Sequence, residues 1–293
     1  MIRAFFARLF LHLMARLPLP WVHRLGVLLG EILLRADNDL RRVARTNVRL
    51  CFPVWDASRR AHLVRACLQE TAKAALESGA LWLRPTSQVL ALVREVSGGE
   101  LLQQAMDRGK GVILAAPHLG AWEVVGLYAS QRWPMTSLYR PPKLAGLSPL
   151  IRRGRERAGA KLVPTDAGGV RALYQALSRG ELIAILPDQD PGSDAGVFAH
   201  FFGVPANTMT LLSRLAVKTG ATVLMGYAER LPNGQGYHLH FQLAPQCVAD
   251  MDVRTAATCL NLAVEQCALQ VPAQYQWGYK RFKTRPKGDK KVY

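Results

Sequence analysis

From residue 111 onward the chain alternates short apolar runs with longer segments of helical periodicity. That alternation restricts the fold more than any other feature. The runs at 111–116, 134–139, 161–164, 181–186, 221–229 and 237–244 read as strands. Segments 121–132, 145–158, 168–179, 208–219 and 253–269 read as helices. Strands and helices in alternation, joined by short loops, imply parallel crossovers with helices covering the sheet. Asn233-Gly234 followed by Gly236 marks a hairpin turn between the last two strands. The expected class is therefore α/β, with a mainly parallel central sheet flanked by helices. Upstream, 38–50 and 57–83 read as helices, the second carrying the stripe Leu63, Cys67, Thr71, Ala74 and Ala75 and ending at Pro85. A short helix is expected at 99–108. There is no internal repeat, low-complexity linker, G-x-G-x-x-G or Walker loop. The economical division is an N-terminal helical segment at 1–36 and one α/β domain at 37–293, long enough to bury a large core.

Charge is distributed unevenly. The net charge is +17, and three windows (1–50, 139–161 and 280–293) each carry +6, leaving the rest near neutral. Basic patches on a neutral body point to anionic partners. No helix-turn-helix, zinc-finger or RNP signature is present, so nucleic acid is not expected. An anionic lipid, a phosphorylated substrate or an acidic carrier protein fits better.

Residues 2–34 are rich in Leu, Phe, Ile and Val, interrupted by Arg3, Arg8, Arg16, Arg24 and Glu31. No uncharged run reaches the ~18–20 residues of a spanning helix, and no secretory cleavage pattern is clear. Pro18 and Pro20 break the stretch in two. The pattern suits a membrane anchor of helices lying in the interface, with arginines snorkelling to headgroups and Trp21 at the boundary. An amphipathic core helix is the plainer alternative. The basic segment from Tyr279 to Lys287, with Trp277, Tyr279 and Phe282, is expected to dock on the same surface.

Five cysteines stand at 51, 67, 247, 259 and 267, an odd number with no C-x-x-C pair. This argues against a disulfide framework and a structural zinc site, and suits a reducing compartment. Buried small hydrophobes are expected. His238 and His240 share one strand face, but no acidic or Cys partner stands at ligand spacing. They are taken as a surface pair, and no metal site is expected.

The chemistry centres on His118-Leu-Gly-Ala-Trp-Glu123. Residues i and i+5 of one helix point about 140° apart, from ~3.6 residues per turn. His118 must therefore precede the helix. Pro117 stops the strand and Gly120 permits a tight turn. Glu123 then falls in the first helical turn, where the helix dipole favours a carboxylate. The pair reads as a general base with its orienting partner; taken alone, a structural His satisfied near a helix N-terminus is the plainer alternative. A second cluster, Leu186-Pro-Asp-Gln-Asp190, follows the strand at 181–186. In open α/β sheets ligands gather at that edge. Asp188 and Asp190 could bind sugar hydroxyls, pair with arginines, or simply form a turn. The segment 197–203 reads as a loop region, strongly apolar for one, that could line an acyl channel or cover the core. Asn207 and Thr208 look like the N-cap of the helix at 208–219. Leu138-Tyr-Arg-Pro-Pro142 and Arg152-Arg-Gly-Arg-Glu-Arg157 supply arginines that could clamp phosphate or stabilise an oxyanion, or form a solvated face.

Together these segments resemble the late acyltransferases of lipid A biosynthesis, within the lysophospholipid acyltransferase superfamily. The matching motifs are H-x4-E (His118 to Glu123), Tyr139-Arg140-Pro141, Gly154-Arg155, Pro187-Asp188-Gln189-Asp190, Phe201 to Thr210, and the ending from Gln274 to Pro286. Pro117 departs from the Asn that often precedes the His. The resemblance implies transfer of a fatty acyl chain from an acyl carrier protein thioester to a hydroxyl of a Kdo-bearing lipid A precursor. It makes His118 and Glu123 catalytic and Arg140, Arg155, Asp188 and Gln189 substrate-binding, with no metal, cofactor or covalent acyl-enzyme. It further implies an anionic glycolipid acceptor and a monomer at the cytoplasmic face of a bacterial inner membrane. Acylation of a lysophospholipid, glycolipid or aminolipid, or non-catalytic binding of anionic lipid, are the alternatives.

Overall fold

The computed structural model describes residues 2–192 and 195–293. In chain order its helices are α1 (Ile2–Arg16), α2 (Leu19–Arg35), α3 (Asp39–Cys51), α4 (Ala57–Leu83), α5 (Thr86–Leu90), α6 (Gly99–Asp107), α7 (Trp122–Ser130), α8 (Ser148–Glu156), α9 (Ala167–Ser178), α10 (Leu211–Thr219) and α11 (Val253–Gln270). Its strands are β1 (Val93–Ser97), β2 (Val112–Ala115), β3 (Met135–Tyr139), β4 (Ala160–Pro164), β5 (Leu182–Ile185), β6 (Val197–Phe201), β7 (Val204–Thr208), β8 (Thr222–Arg230) and β9 (Tyr237–Leu243).

Seven strands form one sheet in the order β1-β9-β8-β2-β5-β3-β4. All neighbours run parallel except β8 and β9, which the Asn233-Gly234 turn joins as a hairpin. This is the expected mainly parallel α/β sheet. Its central strands β2 and β5 are buried on both faces, which explains why they read as continuous apolar runs rather than alternating ones. One face packs against α3, α4, α9, α10 and α11 through Ala44, Leu68, Leu173, Leu212 and Leu260. The other packs against α6 and α7 through Leu102, Val124 and Val125.

The helices α1 and α2 lie against α4, with Met14 and Val22 meeting Leu76. They break at Pro18, as expected. Among the described residues no helix is long and apolar enough to cross a membrane. Ile2, Phe5, Phe6, Leu9, Leu13, Trp21, Leu28 and Ile32 are nevertheless exposed.

Four expectations are corrected. Asn207 and Thr208 cap no helix: they end β7, and α10 begins at Leu211. The segment 197–203 is no loop but the first strand of the β6–β7 hairpin and its turn. Cys247 and Cys259 form a disulfide, because the turn before α11 brings their Cα atoms to 5.8 Å. The remaining cysteines are free and buried, as expected; burial pushes the Cys67 thiol up to about 11 and Cys267 up to about 12, which keeps them inert. Finally, Trp277, Arg281 and Phe282 are buried rather than presented to a surface. Arg281 donates to the Asn207 carbonyl (2.6 Å) and to the side chains of Thr208 and Asn261. The basic tail is therefore partly internal.

Candidate active site

Strands β2 and β5 are adjacent and parallel, with Ala115 opposite Ile185. Each run leaves the sheet through a proline and then a polar residue: Pro117-His118 and Pro187-Asp188. Equal offsets from a shared register bring His118 and Asp188 side by side. Asp188 Oδ1 lies 2.8 Å from His118 Nδ1, and its Oδ2 accepts the His118 backbone N–H at 2.9 Å. Asp188 is buried. Burial alone would raise its pKa, but the neighbouring imidazole and the two His118 hydrogen bonds hold it below the usual aspartate range. An ionised Asp188 fixes the proton on Nδ1 and leaves Nε2 as the basic nitrogen. The Gln189 side-chain nitrogen sits 3.1 Å from that Nε2.

Glu123 occupies the first turn of α7 as expected, but its partner differs. The carboxylate on the imidazole is that of Asp188. Glu123 instead takes Arg155 in a fork: Arg155 Nε lies 3.1 and 3.0 Å from its two oxygens, and Nη2 2.6 Å from Oε1. The physical reason is reach and charge. A fixed bidentate cation satisfies both Glu123 oxygens, while Asp188 already accepts both N–H groups of His118. Burial works against the Arg155 charge, yet Glu123 more than offsets it and raises the guanidinium pKa. Arg155 also lies 5.1 Å from the Trp122 ring, and Trp122 meets the His118 ring edge-on at 5.3 Å.

Two glycines make this geometry. Gly120 has φ +59, and a Cβ there would sit 1.9 Å from the Ala228 carbonyl oxygen, so only glycine fits the turn that follows His118. A Cβ on Gly154 would lie 2.8 Å from Trp82 Cβ; its absence lets α8 approach α4 and deliver Arg155 to Glu123. The C-terminal segment clamps the same turn. Gln276 N–H donates to the His118 carbonyl (3.1 Å) and Gly120 N–H to that of Gln274 (3.1 Å). Beneath it lies a buried ionic cluster. Glu77 Oε1 accepts from Arg230 Nε and Nη2 (2.9 and 2.6 Å), and Glu77 Oε2 contacts His23 Nε2 (3.1 Å) and the Tyr237 hydroxyl (3.2 Å). Arg230 Nη2 then donates to the Gly120 carbonyl at 3.0 Å.

Two cavities meet at Trp122, Glu123 and Arg155. One, about 320 Å³, runs between α4 and the His118 turn and is lined by His118, Glu77, Trp82 and Gln276 among others. The other, about 60 Å³, is mostly apolar and lies between α7 and the sheet, with Val125, Gly126, Met135 and Leu162 in its wall.

Of the residues singled out in the sequence, the structure gathers His118, Glu123, Arg155, Asp188 and Gln189. Arg140 is exposed at the end of β3 and lines neither cavity. Asp190 turns away from His118. It accepts the Thr284 N–H at 3.1 Å and the Gly192 N–H at 2.8 Å, tying the tail to the loop. Sequence reasoning missed the His118–Asp188 contact, although the matching strand–Pro–polar pattern of the two runs signalled it.

A buried carboxylate thus holds a histidine at the carboxyl edge of a parallel sheet, where open α/β folds bind ligands, beside an apolar cavity. The family model for bacterial lipid A biosynthesis acyltransferases matches residues 1–284. The chain is 31% identical to the lipid A biosynthesis lauroyltransferase of Escherichia coli K12, over 95% of this chain and 90% of the relative. It is 30% identical to the palmitoleoyltransferase of that organism (97% and 92% covered) and 26% identical to its myristoyltransferase (94% and 83%). The chain belongs to the bacterial lipid A biosynthesis acyltransferase family and is an acyltransferase.

Proposed function

We propose that this chain transfers a fatty acyl group from an acyl carrier protein thioester to a hydroxyl of a Kdo-bearing lipid A precursor, at the cytoplasmic face of the bacterial inner membrane. The observation that carries the chemistry is the His118 imidazole, held at Nδ1 by buried Asp188 and lining a groove that opens beside an apolar cavity. The acceptor hydroxyl takes the place of the Gln189 amide at Nε2. Its oxygen attacks the thioester carbonyl carbon as Nε2 removes its proton. The tetrahedral intermediate collapses, the carbon–sulfur bond breaks, and the imidazolium returns the proton to the leaving thiolate. Asp188 stabilises that imidazolium through Nδ1–H. Arg155, aimed by Glu123, stabilises the oxyanion or an acceptor phosphate. The apolar cavity behind Trp122 supports a site for the acyl chain.

The acceptor and the acyl class are supported by the relatives, whose names specify lipid A and several different acyl groups. The carrier donor is supported by the exposed arginines of 139–161, such as Arg140, Arg152 and Arg153, which suit an acidic protein. The membrane surface is supported by the exposed apolar residues of α1 and α2 beside Arg3, Arg8 and Arg24.

The direct test is product formation from purified acyl carrier thioester and Kdo-lipid A precursor, followed by mass spectrometry. Transfer to a lysophospholipid, with none to the glycolipid, would overturn the acceptor. In the same assay Arg155→Lys keeps the charge but loses the fork on Glu123, and kcat is expected to fall by about 10², the range for one lost oxyanion donor. An unchanged kcat would reduce Arg155 to a counter-ion for Glu123. For the anchor, binding to vesicles with anionic lipid is expected to weaken when Phe5, Phe6 and Leu9 become Ser. Equal binding would remove α1 from the contact.

A further inference from the structure

Outside the groove, one cluster gathers metal-binding groups. The centre of the Asn233-Gly234 turn is equidistant in sequence from Glu229 and His238, and the antiparallel register sets them opposite each other. His240, two residues on, shares the face of His238. On the other side of β9, the parallel strand β1 pairs Glu95 with His238 and Ser97 with His240. Three neighbouring strands therefore send side chains to one point at the sheet's edge.

The distances are short. His240 Nε2 lies 3.0 Å from Glu229 Oε2, and His238 Nε2 lies 3.6 Å from Glu95 Oε1 and 2.8 Å from Ser97 Oγ. The two imidazole rings are 3.8 Å apart by centroid, and ligand atoms of Glu229, His238 and His240 all lie within 4.8 Å of one another. All three side chains are partly buried, so they hold position yet remain open to an ion. Tyr227 stacks on the His240 ring at 4.6 Å and restrains it.

We propose that Glu229, His238 and His240 form a divalent transition-metal site, with Glu95 within reach of the fourth position. The donor set selects the ion. Two imidazoles and a carboxylate suit Zn²⁺ or Co²⁺, whereas Ca²⁺ and Mg²⁺ take oxygen ligands. Tetrahedral Zn–N and Zn–O bonds of about 2.0–2.2 Å bring ligand atoms to roughly 3.3 Å of each other, which side-chain rotation reaches from the observed spacing. The bound ion pins β9 to β8, and to the edge strand β1 through Glu95. Strand β1 pairs with β9 alone, so this tie would be its second attachment to the sheet. The site is separate from the His118 chemistry. It revises the reading that no acidic partner stands beside this histidine pair: the hairpin supplies Glu229.

The test uses the full chain, stripped with chelator and titrated with Co²⁺. One equivalent is expected to give the visible bands of tetrahedral Co²⁺, bleached by added Zn²⁺. The His238→Ala/His240→Ala protein should lose the bands, and Glu229→Gln, which keeps the side chain's shape, should weaken binding by at least about tenfold. His118→Ala should bind as the parent does. Saturating Zn²⁺ should also raise Tm by several degrees in the parent and in His118→Ala, but not in the His238→Ala/His240→Ala protein. Absence of bands in the parent, or bands that survive both the double substitution and Glu229→Gln, would overturn the site.

Discussion

The His118→Ala protein is expected to lose at least about 100-fold in turnover with its fold intact, the lower range for removal of a general base. Asp188→Asn tests the orientation of the same base. Asp188 accepts two N–H groups of His118, one from the backbone and one from Nδ1. An asparagine has one carbonyl oxygen and one amino group, so it cannot accept both. Either the backbone N–H faces a donor, or the imidazole is forced to carry its proton on Nε2. In the second case the basic nitrogen points away from the acceptor. The wrong tautomer costs about 10⁴ in kcat for the Asp of a Ser-His-Asp triad, and a loss between 10² and 10⁴ is expected here. The readout is kcat with purified donor and acceptor, beside circular dichroism to check folding. A folded Asp188→Asn protein with parental kcat would return the orienting role to Glu123 and end the Asp188 assignment.

The second large effect is on stability. Glu77 is buried with Arg230, His23 and Tyr237 around it. Burial raises a carboxyl pKa, but Arg230 and His23 outweigh it and hold Glu77 at about 2. Glu77→Gln leaves the Arg230 cation in the core without its main counter-charge, with only Glu70 at 3.4 Å. Breaking a buried pair from one side costs roughly 3–5 kcal/mol. The pH dependence has a fixed sign. A carboxyl whose folded pKa is depressed stabilises fully above its unfolded value near 4.5, and that stability is lost as pH falls toward about 2. Urea midpoints should therefore drop between pH 4.5 and 2 in the parent more steeply than in Glu77→Gln. Parallel curves would show that Glu77 gains nothing from ionisation in the fold. Arg230 also holds the Gly120 carbonyl, so the variant should lose activity before it unfolds.

Much of the architecture was legible because its signals are local. Buried parallel strands need unbroken apolar runs, and the six runs all became strands. Helix α4 falls at Ala57–Leu83 because Asp56 caps its start, accepting the Arg59 N–H at 2.8 Å, and Pro85 follows its end. What escaped lacks such a local cause. Strand β1 (Val-Arg-Glu-Val-Ser) is an edge with one neighbour and no apolar run, so only β9 makes it a strand. The β6–β7 hairpin turns on Phe202-Gly203, with Phe202 at φ +49. A phenylalanine is a poor choice for that conformation in isolation. Its ring packs on Phe52 (5.2 Å) and Trp277 (5.6 Å), and Glu265 accepts its N–H at 2.7 Å. These contacts come from far along the chain.

The amino-acid order by itself determined the parallel sheet, the position of His118 at a strand exit, and Glu123 in the first turn of the next helix. Each follows from hydrophobic period, Pro and Gly placement and helix geometry within a few residues. Only the tertiary structure decided which carboxylate meets which base. Strand order puts β5 beside β2, so Asp188, 70 residues from His118, reaches the imidazole. The close packing of α8 on α4 gives Glu123 to Arg155 instead. Pairing across a sheet depends on which strands become neighbours, and that choice is made by the burial of the whole core rather than by any local stretch of chain.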